Sequence, residues 1–164
     1  MKRVISVFLA VAAIIALASC AAKLPDISAY GDTPIEISGL LDEDFTITPN
    51  ELAKFPLTHL SANGVTAQSG KVDKASDVGV TLVDFLAHYG KSPADFKYIR
   101  FYAYDKYQIT LGGAKYTDDV VLFALASHGK PLDEALQPMR LIIPTAETNQ
   151  WIYGIVRIEF VAQG

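Results

Sequence analysis

Four alternate positions between residues 98 and 104 carry Tyr98, Arg100, Tyr102 and Tyr104, three rings and a guanidinium on one side of an alternating run. Such a face can stack a planar ligand and hold an anion. It can equally be a half-buried sheet face built from cross-strand pairs, each contributing a few tenths to about 1 kcal/mol. Arg140 and Arg157 sit among apolar neighbours in strand-like runs, where each either pairs with a carboxylate or carbonyl or binds an anion. Trp151 is either a core or rim aromatic or a ligand platform. With Tyr107 added, the candidate ligand-binding set is Arg100, Tyr102, Tyr104, Tyr107, Arg140 and Trp151, for a planar or anionic compound. His59, His88 and His128 are the only histidines, and no two stand at a metal-ligand spacing such as i, i+4. Serine, histidine and aspartate are all present, but no Gly-x-Ser-x-Gly elbow offers a nucleophile. Gly112-Gly113 lacks a following Lys-Ser or Lys-Thr, so it is no phosphate loop. No catalytic residue and no metal ligand is assigned.

The elements that must position these side chains are short. Ile35 to Leu40 predicts a strand with Ile35 and Ile37 on one face, and Phe45 and Ile47 fit a second. Thr48, Pro49 and Glu51 form a helix start with a capping box, and Pro56 ends that helix. Asn63-Gly64, between Leu57–Ala62 and Val65–Val72, predicts a type I′ hairpin, and 73–77 a polar loop. Thr81 with Asp84 caps a second helix, whose Leu82, Phe85, Leu86 and Tyr89 recur at helical spacing before Gly90. Ile99, Phe101 and Ala103 form the apolar side of the run from Tyr98 to Tyr104, and Tyr107 to Leu111 is a further strand. Val120 to Ala126 is apolar throughout, so periodicity does not separate helix from strand there. After a turn at Gly129-Lys130-Pro131, Met139–Ile143 and Ile152–Val161 read as closing strands. The sum is an α+β, β-rich single domain with two short helices.

Cysteine chemistry is confined to one residue. Lys2 and Arg3 precede an apolar run from Val4 to Ala16. That run of about 13 residues falls short of the ~20 that span a bilayer as helix, so it reads as a signal-peptide core. Leu17-Ala18-Ser19-Cys20 resembles the bacterial lipobox, which implies a signal peptide over 1–19 and lipid on Cys20. Two or more acyl chains hold a protein stably to a membrane, where one does so only marginally. The expected location is therefore extracytoplasmic, anchored to a bacterial membrane; Ala21 rather than Asp after Cys20 points to the outer membrane in a Gram-negative organism. Residues 20–33 read as lipidated terminus and tether, and 34–164 as the folded domain. Loss of residues 1–19 moves the net charge from −4 to −6, which argues against nucleic acid as a partner. It also leaves no thiol beyond the acylated one, hence no disulfide, cysteine-ligated metal or thiolate nucleophile.

From about Ile35 to Phe160 the order of segments resembles the oxidoreductase molybdopterin-binding domain family, of sulfite-oxidase-like fold. Ile37-Ser38-Gly39-Leu40 with the capped helix resembles its opening, and Gly79-Val80-Thr81-Leu82 through Leu86 and Gly90 its "GVPL…LL…AG" segment. Asp105 with Tyr107 resembles "DGY", Lys106 replacing the glycine. Val121-Leu122 through Ala124, then Gly129-Lys130-Pro131-Leu132, resembles "LLAY…NGxPL". Pro138 to Pro144 resembles "PLRLVVP", and Trp151 with Arg157-Ile158-Glu159-Phe160 the closing "W…RIEF". The resemblance implies a molybdenum-ligating cysteine between the first helix and "GVPL", yet Leu57 to Gly79 has only Ser61, Ser69 and Ser76 there. Serine does not replace a soft thiolate. The pterin-cradling stretch is altered too, reading Thr145-Ala146-Glu147-Thr148-Asn149-Gln150. The expectation is a degenerate member with no cofactor, a non-catalytic module for a small molecule or an envelope protein. The alternative is a pterin-binding oxidoreductase or redox accessory subunit that retains molybdopterin without the cysteine bond.

Overall fold

The computed structural model describes residues 22–66, 69–113, 116–117 and 120–164. The expected signal peptide and Cys20 lie outside the described residues.

Two five-stranded sheets make the fold. The first runs β2 (Phe45–Ile47), β1 (Ile35–Ser38), β10 (Ile155–Ala162), β5 (Phe96–Ala103), β6 (Gln108–Gly112), with only β1 and β10 parallel. The second runs β3 (Thr58–Val65), β4 (Val72–Thr81), β7 (Leu122–Ser127), β8 (Lys130–Pro131), and β9 (Arg140–Ile142) also pairs with β7. Among the described residues two α-helices, α1 (Pro49–Leu52) and α2 (Leu82–His88), complete it with short 3-10 turns. No helix among the described residues is long and apolar enough to cross a membrane.

Local chemistry places both helices as the residue pattern predicts. Thr48 accepts from the Glu51 amide at 3.2 Å while Glu51 Oε2 accepts from the Thr48 amide at 2.8 Å, closing the capping box. Thr81 caps α2 by accepting from the Asp84 amide at 3.0 Å. The core joins Ile35, Ile37, Ile99, Phe101 and Phe160 of the first sheet to Val80, Phe123 and Leu141 of the second, with Phe85 of α2 between. The ambiguous apolar run resolves as β7. Its residues from Leu122 to Ala126 are all buried, so both faces are covered and no polar alternation marks it as strand.

Three expectations are corrected. Asn63-Gly64 is not a hairpin turn: β3 continues through it, with Asn63 opposite Lys74 and Gly64 opposite Asp73. Chain reversal comes later, where Thr66 and Lys71 are bonded and Gly70 takes φ 64°. Gly64 instead makes room for a neighbour, since a Cβ there would lie 2.7 Å from Trp151 Cζ2 and 2.5 Å from Thr148 Cγ2. The polar stretch 73–77 belongs to β4, not a loop. β7 joins β4 only from Asp77 onward, so residues 72–76 form a two-stranded ribbon whose solvated surface takes polar side chains. Finally, the residues assigned to the tether dock before residue 34. Ile27 and Tyr30 are buried against Leu132, and the Tyr30 hydroxyl donates to Leu125 O (2.6 Å) and accepts from the Leu132 amide (2.9 Å).

Candidate functional site

The six candidate residues do not converge; β5, the β5–β6 turn, β9 and the segment before β10 send them to different places. Arg100 and Tyr102 occupy the outer face of the first sheet, opposite Glu159 and Arg157 on β10. Arg100 Nη1 donates to Glu159 Oε2 at 3.0 Å and to the Tyr102 hydroxyl at 3.2 Å, and that hydroxyl donates to the same Oε2 at 2.6 Å. Arg100 also lies over the Tyr98 ring at 5.0 Å, and Arg157 over Tyr102 at 5.1 Å. The Tyr102 hydrogen bond, with the nearby guanidiniums, holds the Glu159 carboxyl below its usual range. Arg100 thus already has a carboxylate partner and Arg157 a ring, and the face is built as a cross-strand cluster.

Lowering the pKa of Glu159 stabilises the fold above the unfolded carboxyl's pKa, and this gain disappears as pH falls through the folded value. Tyr102→Phe removes the leading cause. It is expected to cost about 1 kcal/mol or less at neutral pH, with the difference from wild type closing in acid below the ordinary glutamate range. Urea melts of both proteins between neutral pH and acid check this.

Arg140 on β9 turns to a different partner. Its Nε stands 3.0 Å from Oδ2 of Asp77, a fully buried carboxylate on β4, as an ion pair off the hydrogen-bond line. Ser127 Oγ donates to Asp77 Oδ1 at 2.6 Å and lies 3.0 Å from His128 Nδ1, which must then carry the donated proton. The order is aspartate, serine, histidine. A nucleophilic set needs the histidine in the middle, so Ser127 has no base and the chain of bonds is structural. His59 meets Ser76 at 3.0 Å, and His88 packs on Phe55 and Tyr89. Among the described residues no cluster of His, Cys, Asp or Glu could hold a metal ion.

Tyr107 and Trp151 do meet. With Asp105, Thr148, Asn149 and Tyr153 they line a cleft of about 280 Å³ between the β5–β6 turn and the segment before β10. Trp151 is nearly buried, its Nε1 donating to Ile143 O at 2.8 Å and its ring resting on Gly64 of β3. Thr148 and Thr66 share a 2.8 Å hydroxyl bond, tying the same segment to the end of β3. Tyr107 donates to Asn149 O at 2.9 Å, and its own amide donates to Asp105 Oδ1 at 2.9 Å. Tyr107 and Tyr153 are each about half exposed, so their rings flank the opening. Tyr104 stands outside the lining, more exposed still, with its ring against Gly154. Among the described residues, Asp105 supplies the only charge in the lining, and no cation is among it. Chemically, the cleft can stack a planar ligand against rings and accept its N–H groups at one carboxylate. Sequence reasoning missed Asp105, Thr148, Asn149 and Tyr153 as lining residues. The nearest signal was Asp105-Lys106-Tyr107, an aspartate two residues before a bonded amide, as in a tight turn.

The model of the oxidoreductase molybdopterin binding domain matches residues 22–164, most of the chain. Among solved structures, the sulfane dehydrogenase SoxCD from Paracoccus pantotrophus superposes with a TM-score of 0.70 over 87% of this chain at 24% identity. The chain spans 40% of that protein's chain, and the likeness is one of fold. No curated protein matches the chain.

Proposed function

Because the chain belongs to the oxidoreductase molybdopterin binding domain family, with its sulfite-oxidase-like fold, we propose that it is a member that has given up molybdenum chemistry. In this reading it is a non-catalytic extracytoplasmic module, anchored to a bacterial membrane by lipid on Cys20. It takes a planar ligand in the cleft of Tyr107, Asp105, Trp151 and Tyr153.

The observation that carries the reading is a missing thiolate. The family resemblance implies a cysteine on the segment 57–79; here that segment is β3 and most of β4, and its sequence contains no cysteine. A molybdopterin also bears a phosphate, and among the described residues the cleft answers it with Asp105 and no arginine or lysine. The residues present therefore do not fit the group. The two cations that sequence reasoning assigned to an anion, Arg100 and Arg140, are paired with Glu159 and Asp77. The ligand class narrows accordingly to planar compounds with N–H donors.

Mass spectrometry of the protein released from membranes tests both halves, reading the N-terminal mass and any bound small molecule. An acylated Cys20 terminus with a planar ligand that is lost in Tyr107→Ala and Asp105→Asn is the expected result. A chain with an unmodified Cys20, or a ligand retained in both variants, overturns the corresponding half.

A further inference from the structure

A second hollow lies away from this cleft, between β2, α1 and α2. It measures about 650 Å³, within the range of small-molecule sites. Its walls are the rings of Phe45, Phe55, His88 and Tyr89, with the Phe45 and Tyr89 centroids 5.4 Å apart and those of Phe55 and His88 4.7 Å apart. Phe85, fully buried, backs both Phe55 and Tyr89 at 5.9 and 5.3 Å. The rings are therefore fixed from behind.

Charge at the rim is unbalanced. Glu51 and Asp84 face one lysine, Lys54. Each carboxylate uses one oxygen locally: Glu51 Oε2 on the Thr48 cap, Asp84 Oδ2 on the Thr81 hydroxyl at 2.6 Å. The other oxygen of each is left for a ligand's donors. Burial and the Glu51 charge both push the Tyr89 hydroxyl pKa up, so the negative field reaches into the ring wall.

We propose that this hollow binds an organic ammonium compound, its apolar body against the rings and its cationic head between Glu51 and Asp84. Cations are attracted to ring faces as well as to carboxylates, and a chain of net charge −4 favours them further.

The test uses the full-length protein in nonionic detergent, titrated with benzyltrimethylammonium and, separately, with phenylacetate, and followed by two-dimensional NMR. Amides of 45–56 and 84–89 should shift with the cation, which should bind roughly tenfold more tightly than the anion. Glu51→Gln with Asp84→Asn keeps both caps, because amide oxygens accept the same bonds. That double variant should weaken the cation at least about fivefold and leave phenylacetate no weaker. Equal binding of the two probes, shifts centred on the Trp151 cleft, an unchanged double variant, or no shift at millimolar cation would each overturn the proposal.

Discussion

Arg140→Ala is expected to destabilise the protein by about 3–5 kcal/mol, shifting the urea midpoint far down. The reason lies in what stays behind. Asp77 is fully buried on β4, where the strand is bonded to both β3 and β7. Its charge is balanced by the Arg140 guanidinium and by the Ser127 hydroxyl. Removing the arginine leaves a carboxylate in low dielectric with one hydroxyl donor, an uncompensated charge rather than a merely lost contact. Asp77→Asn with Arg140→Met should recover most of the loss, because the asparagine keeps an acceptor for Ser127 and methionine fills the stem's volume. An Arg140→Ala protein within about 1 kcal/mol of wild type would contradict the assignment of Arg140 to structure and reopen its role toward an anion.

Trp151→Ala carries a comparable expected loss, about 3–5 kcal/mol for a large buried aromatic. Three contacts disappear together: the ring on Gly64, the Nε1 bond to Ile143 O, and the wall of the cleft. Trp151→Phe separates them, retaining a ring over Gly64 while losing the hydrogen bond, at about 1 kcal/mol beyond the reduced packing. Ile143 O still accepts from the Ala146 amide, which limits the cost of losing the indole donor. Both variants should lose the cleft ligand more than they lose the fold. Denaturant melts and mass spectrometry of the native protein read the two effects separately.

Much of the fold was legible because its signals are local. The capping box at Thr48–Glu51 and the cap at Thr81–Asp84 each close within three residues, and the alternation of Ile99, Phe101 and Ala103 is a property of one strand. The family resemblance was legible as an order of segments, and it held over the whole described domain. Asn63-Gly64 misled because glycine signals both a turn and a close approach. Only the position of Trp151, 87 residues later in the chain, decides between them. The site was harder for the same reason. Tyr102 finds Glu159 57 residues away and Ser127 finds Asp77 50 residues away. No pattern of residue types along β5 reveals that its arginine is already neutralised by β10. The polar run 73–77 failed on a different ground, since a ribbon projecting past its sheet is solvated on a face that a central strand would bury.

The central claim is that this member of the family holds no molybdenum cofactor, and one measurement meets it directly. The full-length protein, produced in a host that makes molybdopterin and purified from membranes, is assayed for molybdenum and extractable pterin per chain. The account predicts a colourless protein with molybdenum far below one atom per chain and no pterin. Near-stoichiometric molybdenum with bound pterin would contradict it.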